Sequence, residues 1–231
     1  MTEQNKSDPS RQQLSPPPSG QPKVKVRPGR IRQRNREQIL AAAEKEFSSK
    51  GFGATTVQQI ADRAGLPKSN VLYYFSNKKR MYYALMDGIM GRWNDVFSNV
   101  RPEDDPATTL AGFIQVKMEM SRTHPLASRL FAMEIIQGAP VLKEYLSTSM
   151  KDWVRERAMV IQQWIDTGRM GNVDPVQLIH LIWSSTQHYA DFQVQILAIE
   201  EKEAYTKKDF KHAAEFLTQV ILRGCGLEVP E

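Results

Sequence analysis

The chain has 231 residues, 41% of them hydrophobic and 25% charged, with a formal net charge of +5 and a single cysteine. That composition supports one large domain or two modest ones, offers no run of about 18 apolar residues to span a membrane, and shows no apolar signal-peptide core. The lone thiol, Cys225, excludes an internal disulfide and fits a reducing cytoplasm, the expected location.

Charge is unevenly placed. Residues 1–80 hold 16 Lys/Arg against 6 Asp/Glu, whereas residues 81–231 hold 15 against 20. A basic front on an acidic body is the electrostatic footprint of a nucleic-acid reader. Residues 1–30 contain six of the thirteen prolines and almost no large apolar side chain. They are expected to form a disordered arm, because they cannot bury enough surface to fold. From Lys23 to Arg34 a cation stands at nearly every second or third position. Arg30, Arg32 and Arg34 are therefore candidates to track phosphates or enter a minor groove.

The first helix is predicted over 33–50, with Ile39, Leu40, Ala43 and Phe47 as its inner stripe and Gly51 as its cap. Thr56 followed three residues later by Gln59 reads as a capping box. It opens a helix over 56–64 whose Val57, Ile60, Ala61 and Ala64 face inward. Gly65 stops that helix and Leu66-Pro67 turns the chain; Pro67 can start the next helix because its missing N–H would have no partner there. The next helix, 67–75, turns Lys68, Ser69, Asn70 and Tyr74 outward and Val71, Leu72 and Phe75 inward. Two short helices joined by a tight glycine turn describe a helix-turn-helix. A fourth helix, from Ser76 or Asn77 to 99, carries Leu85, Ile89 and Trp93 on one face and links residues 31–80 to the body.

Pro102 and Pro106, flanking Glu103-Asp104-Asp105, mark a boundary. Beyond it every segment reads as helix: 106–122 with Phe113, Val116 and Met120 aligned, then 125–137 with Leu130 and Met133. Gly138-Ala139-Pro140 breaks the pattern. Helices over 141–167, 174–198 and 207–223 follow, the second capped by Asp174-Pro175. The expected fold is all-α with about nine helices: an arm (1–30), a three-helix reading domain (31–80) and a larger helical body (81–231).

The order T-x-x-x-I-A-x-x-A-G-[LV]-x-K…YYF-x-[SN]-K, carried here by Thr56, Ile60, Ala61, Ala64, Gly65, Leu66, Lys68, Tyr73, Tyr74, Phe75, Asn77 and Lys78, resembles the DNA-binding domain of the TetR family of bacterial repressors over residues 34–85. The resemblance implies phosphate contacts at Thr56 and Lys78, and outward residues at Lys68 and Tyr74 that meet phosphate or bases. Gln58 and Asn70 carry amides able to pair bidentately with adenine. Three departures stand out: Pro67 replaces a hydroxyl helix cap, Leu72 a frequent Tyr, and Lys79 a usual acidic residue.

A second resemblance lies in the body. Residues 128–140, SRLFAMEIIQGAP, and 182–192, IWSSTQHYADF, look like the RutR-type pyrimidine-utilisation regulators, which respond to uracil or thymine; the similarity extends through residues 34–222. Trp183, Thr186, Gln187 and Asp191 fall at i, i+3, i+4 and i+8, so they share one side of a helix. An indole can stack on a flat ring, a Gln amide matches an imide edge, and a carboxylate can accept a ring N–H. Trp93 closes the other side by the resemblance, with Leu130 and Met133 as apolar walls. Taken alone, the same pattern also fits a core Trp beside a satisfied polar network in a dimer seam.

The resemblances imply a homodimeric repressor with no cofactor, released from a palindromic operator on double-stranded DNA by a small effector such as uracil or thymine. The seam is expected to be the last two helices, packed as a four-helix bundle with their symmetry mates. The alternative is a repressor of the same family that senses a drug, an acyl compound or another heterocycle. An enzyme is disfavoured, since no nucleophile triad, metal spacing or phosphate loop is found. His188 and Asp191 invite a metal reading, but no ligand spacing recurs.

Overall fold

The computed structural model describes residues 28–230, excluding the side chains of Pro28, Asn94 and Val96. The arm expected over 1–30 therefore lies outside the described residues as far as position 27. Within the described residues every regular element is helical.

Helix α1 (Pro28–Ala54) starts five residues before its predicted position. Residues 32–38 are polar and give no apolar period to read, but most are good helix formers, and Gln33 Nε2 donates to Glu37 Oε1 one turn on at 2.6 Å. Arg30, Arg32 and Arg34 accordingly stand on a helix and not in an extended arm. Gly51, with φ 75° and ψ 167°, breaks α1 where the cap was expected. Ile39, Ala42, Ala43 and Phe47 form the buried stripe.

Helix α2 (Val57–Ala64) begins at a complete capping box and ends at Gly65, whose φ of 63° is the left-handed conformation that glycine adopts without strain. Helix α3 (Lys68–Tyr74) follows Pro67 directly. Val71 and Phe75 are buried, but Leu72 is exposed, contrary to expectation. In so short a helix Val71 and Phe75, one turn apart, already fill the inner face, and Leu72 falls 100° away from Val71. Asn77 caps helix α4 (Lys78–Ser98) by accepting the Arg80 N–H at 2.9 Å.

The body comprises α5 (Pro106–Thr123), α6 (Pro125–Ile136), α7 (Lys143–Tyr145), a π turn (Leu146–Met150), α8 (Lys151–Asp166), α9 (Pro175–Asp191), α10 (Gln193–Ile199) and α11 (Lys207–Gly224). Two of the nine expected helices are thus interrupted. The 141–167 helix contains the π turn, and the 174–198 helix breaks at Phe192. There Arg129 Nε donates to Ala190 O at 2.9 Å, supplying a side-chain partner to a carbonyl at the break. The inner stripe of α5 is Leu110, Phe113, Ile114, Lys117 and Met118; Val116 points out.

Two apolar cores form. One joins α1–α3 to the first turns of α4, from Met81 to Trp93, and to Ala127, Leu130 and Leu142. The other packs Phe97, at the end of α4, with α5, α8, α9 and α11. Helix α4 passes from one core into the other, and α6 packs against both α1 and α9.

Candidate functional site

The basic end is built around α3. Thr56 Oγ1 accepts the Gln59 N–H at 3.2 Å while Thr56 N–H donates to Gln59 Oε1 at 2.9 Å, fixing the start of α2. Gln38 Nε2 donates to Ala64 O at 2.6 Å and holds its end. Beneath the turn, buried Glu46 receives Lys50 at 2.8 Å and Arg63 at 2.5 Å, which together hold its carboxyl below the usual range. On this support Thr56, Gln58, Lys68 and Asn70 are exposed. Gln58 Nε2 donates to Asp62 Oδ1 at 2.7 Å along the same helix.

Two expected DNA-facing residues turn inward. Tyr74 is half-buried, its hydroxyl accepting from Asn35 Nδ2 at 3.3 Å. Its neighbour Tyr73, 73% exposed, is the aromatic that stands out. Lys78 Nζ donates to Phe52 O at 2.7 Å, Gly53 O at 3.2 Å and Thr55 O at 2.8 Å, and lies 4.5 Å from the Phe52 ring centroid. All three ammonium donors are therefore engaged inside the domain, where this side chain clamps the stretch between the Gly51 kink and α2. The Arg36 guanidinium, 5.6 Å over the Phe75 ring, ties α1 to the end of α3. Arg30, Arg32 and Arg34, all exposed, extend from that same end.

In the body, a cavity of about 290 Å³ opens between α4, α5, α6, the π turn and α9. Trp93, Trp183 and Gln187 meet around it. Trp153 stacks on Trp183 at 5.8 Å and 25°, and Phe131 meets Trp93 edge to face at 5.2 Å and 82°. Phe131, Ile135, Leu146 and Met150 supply apolar wall, and His180 and Lys117 complete the lining.

The other expected ligand residues lie elsewhere. Leu130 is buried in the core shared with α1–α4, and Met133 packs against that core. Thr186 is fully buried, its hydroxyl returned to Ile182 O at 2.6 Å and its carbonyl accepting Ser121 Oγ at 2.9 Å. Asp191, one turn beyond Gln187, accepts Ser128 Oγ at 2.6 Å and ties α9 to α6. Burial raises its pKa against the lowering effects of Ser128, Arg129, Lys117 and His188. Trp183 and Gln187 differ by only 40° around a helix, whereas Thr186 and Asp191 rotate away to either side.

Lys117 is the residue that the sequence pattern leaves unmarked. It is 4% exposed, its Nζ sits 4.6 Å over the Trp93 ring, and among the described residues no hydrogen bond or ion pair reaches it. Burial lowers its pKa to about 8, opposed by the Asp191 charge. The available signal is a lysine in the middle of the i, i+3, i+4, i+7 apolar stripe of α5. Among the described residues, no three His, Cys, Asp or Glu side chains gather as a metal site.

Residues 39–85 match the profile of bacterial regulatory proteins of the tetR family, and residues 86–228 match the YcdC-like protein C-terminal region. The HTH-type transcriptional regulator RutR of Escherichia coli O157:H7 is 38% identical over 186 residues, spanning 80% of this chain and 88% of its own. The HTH-type transcriptional repressor NicS of Pseudomonas putida is 24% identical over 204 residues, spanning 83% of this chain and 92% of its own. Among solved structures, the ketosteroid transcriptional regulator KstR2 of Mycobacterium tuberculosis superposes with a TM-score of 0.63 at 20% identity, over 85% of this chain and 95% of that one. At that identity the likeness concerns the fold.

Proposed function

The chain belongs to the TetR family of bacterial regulatory proteins and is a helix-turn-helix transcriptional regulator, not an enzyme; from that premise we propose that it is a homodimeric repressor released from its operator by a small planar effector held in the cavity beside Trp93. The observation that carries this reading is the position of Trp93. It lines the cavity from α4, the helix whose first turns are packed into the same core as α1–α3. An occupant that favours one placement of α4 then biases the placement of both reading heads, provided its affinity differs between the two states.

On the DNA side, Thr56, Gln58, Lys68 and Asn70 serve as the reading face, with Arg30, Arg32 and Arg34 on the adjoining backbone. A twofold pair presents two α3 helices to half-sites about one turn apart, so the operator is palindromic. The exposed apolar side chains Leu181 on α9 and Phe216 and Val220 on α11 supply the seam.

For the effector, uracil or thymine is the reading favoured by the Trp183–Gln187 pair and by the resemblance to pyrimidine-utilisation regulators; control of pyrimidine breakdown and nitrogen metabolism would follow. The apolar walls at Phe131, Leu146 and Met150 favour a second reading, in which a more apolar heterocycle is sensed. Thermal shift of the full chain against uracil, thymine, purines and acyl compounds separates them, since a ligand that binds only the folded state raises the melting temperature. Operator release by the stabilising compound supports the proposal. Stabilisation by acyl chains alone would overturn the planar-effector reading.

A further inference from the structure

Lys117 poses a problem that the cavity residues around it do not solve. Its ammonium is carried by α5 into an apolar stripe between Phe113 and Ile114 on one side and Met118 and Ser121 on the other. The face of Trp93 is its nearest compensation, at 4.6 Å. Asp191 is the carboxylate whose charge acts on it, but that carboxylate accepts Ser128 Oγ at 2.6 Å and is shared with Arg129. No carboxylate oxygen lies within ion-pair distance of Lys117 among the described residues. A buried cation without a paired anion is unfavourable, and the space it faces is the cavity itself.

We propose that Lys117 is the anion-receiving anchor of this cavity, and that the effector is a single planar ring bearing an ionised edge, an acidic imide, enolate or ring carboxylate, set against the ammonium while the ring stacks on Trp183 and meets the Gln187 amide. The inference rests on the cavity being the effector site and, within the planar-effector reading, replaces neutral uracil or thymine with an ionised ring of the same size. Size agrees with it: about 290 Å³ lies at the lower end of small-molecule sites and accommodates one ring with its exocyclic oxygens. Geometry agrees too. Trp153 backs one face of Trp183, and Lys117 lies over the ring of Trp93, so the stacking surface is Trp183 and the charge enters beside Trp93. A ligand charge placed there forms a charge-assisted contact that the surrounding side chains do not supply.

The experiment compares uracil, neutral at pH 7, with barbituric acid, the same-sized ring ionised at that pH, by calorimetric titration of the full-length protein, its Lys117→Met and Lys117→Arg variants, and Trp183→Ala. Circular dichroism and operator binding confirm that each variant is folded. The expected result is at least tenfold tighter binding of barbiturate than of uracil to the wild type, a preference kept by Lys117→Arg and erased in Lys117→Met. Equal or tighter binding of uracil by the wild type overturns the assignment, as does a Lys117→Met variant that keeps the ratio. Trp183→Ala separates the two levels of the argument. If it abolishes both affinities while Lys117→Met leaves their ratio intact, the effector site stands and only the anion anchor falls. If it changes neither affinity, the cavity is not the effector site and both readings fall.

Discussion

Tyr82 Oη donates to Glu134 Oε2 over 2.9 Å, and this bond joins the first turn of α4 to the end of α6. The Glu134 carboxylate is 2% exposed and also accepts the Val141 N–H at 2.6 Å and the Leu142 N–H at 3.0 Å. Burial first, then the bond to Glu134, raises the Tyr82 pKa far above its ordinary value. On its other side Tyr82 meets Phe47 and Phe52 edge-on, each at 4.9 Å. The residue next to Glu134, Ile135, stands in the cavity wall. Glu134 thus lies between the cavity and the aromatic cluster under the reading head.

Removing that carboxylate leaves a buried hydroxyl and two backbone N–H groups without an acceptor. Glu134→Ala is expected to lower unfolding stability by about 2–4 kcal/mol, and Tyr82→Phe by about 1 kcal/mol. Urea denaturation with both variants and their double mutant checks this. The two changes should be less than additive because they share one contact.

Lys78 and Lys68 should separate cleanly. Lys78→Met removes three hydrogen bonds to carbonyls of the α1–α2 loop and is expected to cost about 2 kcal/mol of stability. Lys68→Ala touches none of these and should leave the melting curve unchanged. It should weaken operator binding and reduce the slope of log K against log salt by about 0.9. Fluorescence anisotropy across a salt series, beside denaturation curves, reads both effects; a stable Lys78→Met with a flattened salt slope would assign the expected phosphate role to that side chain.

Trp183→Ala and Gln187→Ala lie far along the chain from α3 and do not enter its packing. Both are expected to bind operator as the wild type does and to lose release by the effector. A gel-shift titration at the wild-type effector concentration decides it: release retained by both variants means that the occupant sits elsewhere.

Lys117→Met exchanges a buried cation for an apolar chain of similar reach, so it should stabilise the effector-free protein by up to about 3 kcal/mol. A pKa lowered to about 8 in the folded state means that the unfolded chain binds more protons between there and the ordinary lysine value of 10.5. Wild-type stability attributable to this group must then rise with pH across that window. The gap between variant and wild type should therefore be widest near pH 7 and narrow by pH 10. His180 and Gln187 on α9, Trp93 on α4 and Asp191 with its neighbour Arg129 surround the group. Denaturant midpoints at pH 7, 8.5 and 10 measure the effect.

Short-range rules account for what the sequence made legible. The Thr56–Gln59 box, the Gly65 turn, the Asn77 start and the Asp174 cap each depend on residues within a few positions of one another, and all four stand where expected. Apolar periodicity found most of the helices as well. It failed where tertiary partners decide: α5 buries Lys117 and exposes Val116 because its neighbours α9 and α11 set the rotation, and α9 stops at Phe192, where Arg129 bonds the Ala190 carbonyl and the Gln193 side chain from 61 and 64 residues away. In the cavity, Trp93, Trp183 and Gln187 converge, yet Leu130 and Met133 fall on the far side of α6. A spacing pattern names the helix that faces a site but not which of its sides is taken by a third helix.

The π turn at Leu146–Met150 supplies two of the cavity walls, Leu146 and Met150, and it holds one residue more than an ordinary turn would. Deleting a single residue there would reset the helix to regular pitch, and because five residues at the wider π spacing turn about as far as four at 100° each, the helix downstream would keep its facing. Trp153 would stay behind Trp183, while the wall that runs from Leu146 to Met150 would be one residue shorter. Chain length at this one spot therefore sets the reach of one cavity wall without disturbing the aromatic pair behind it.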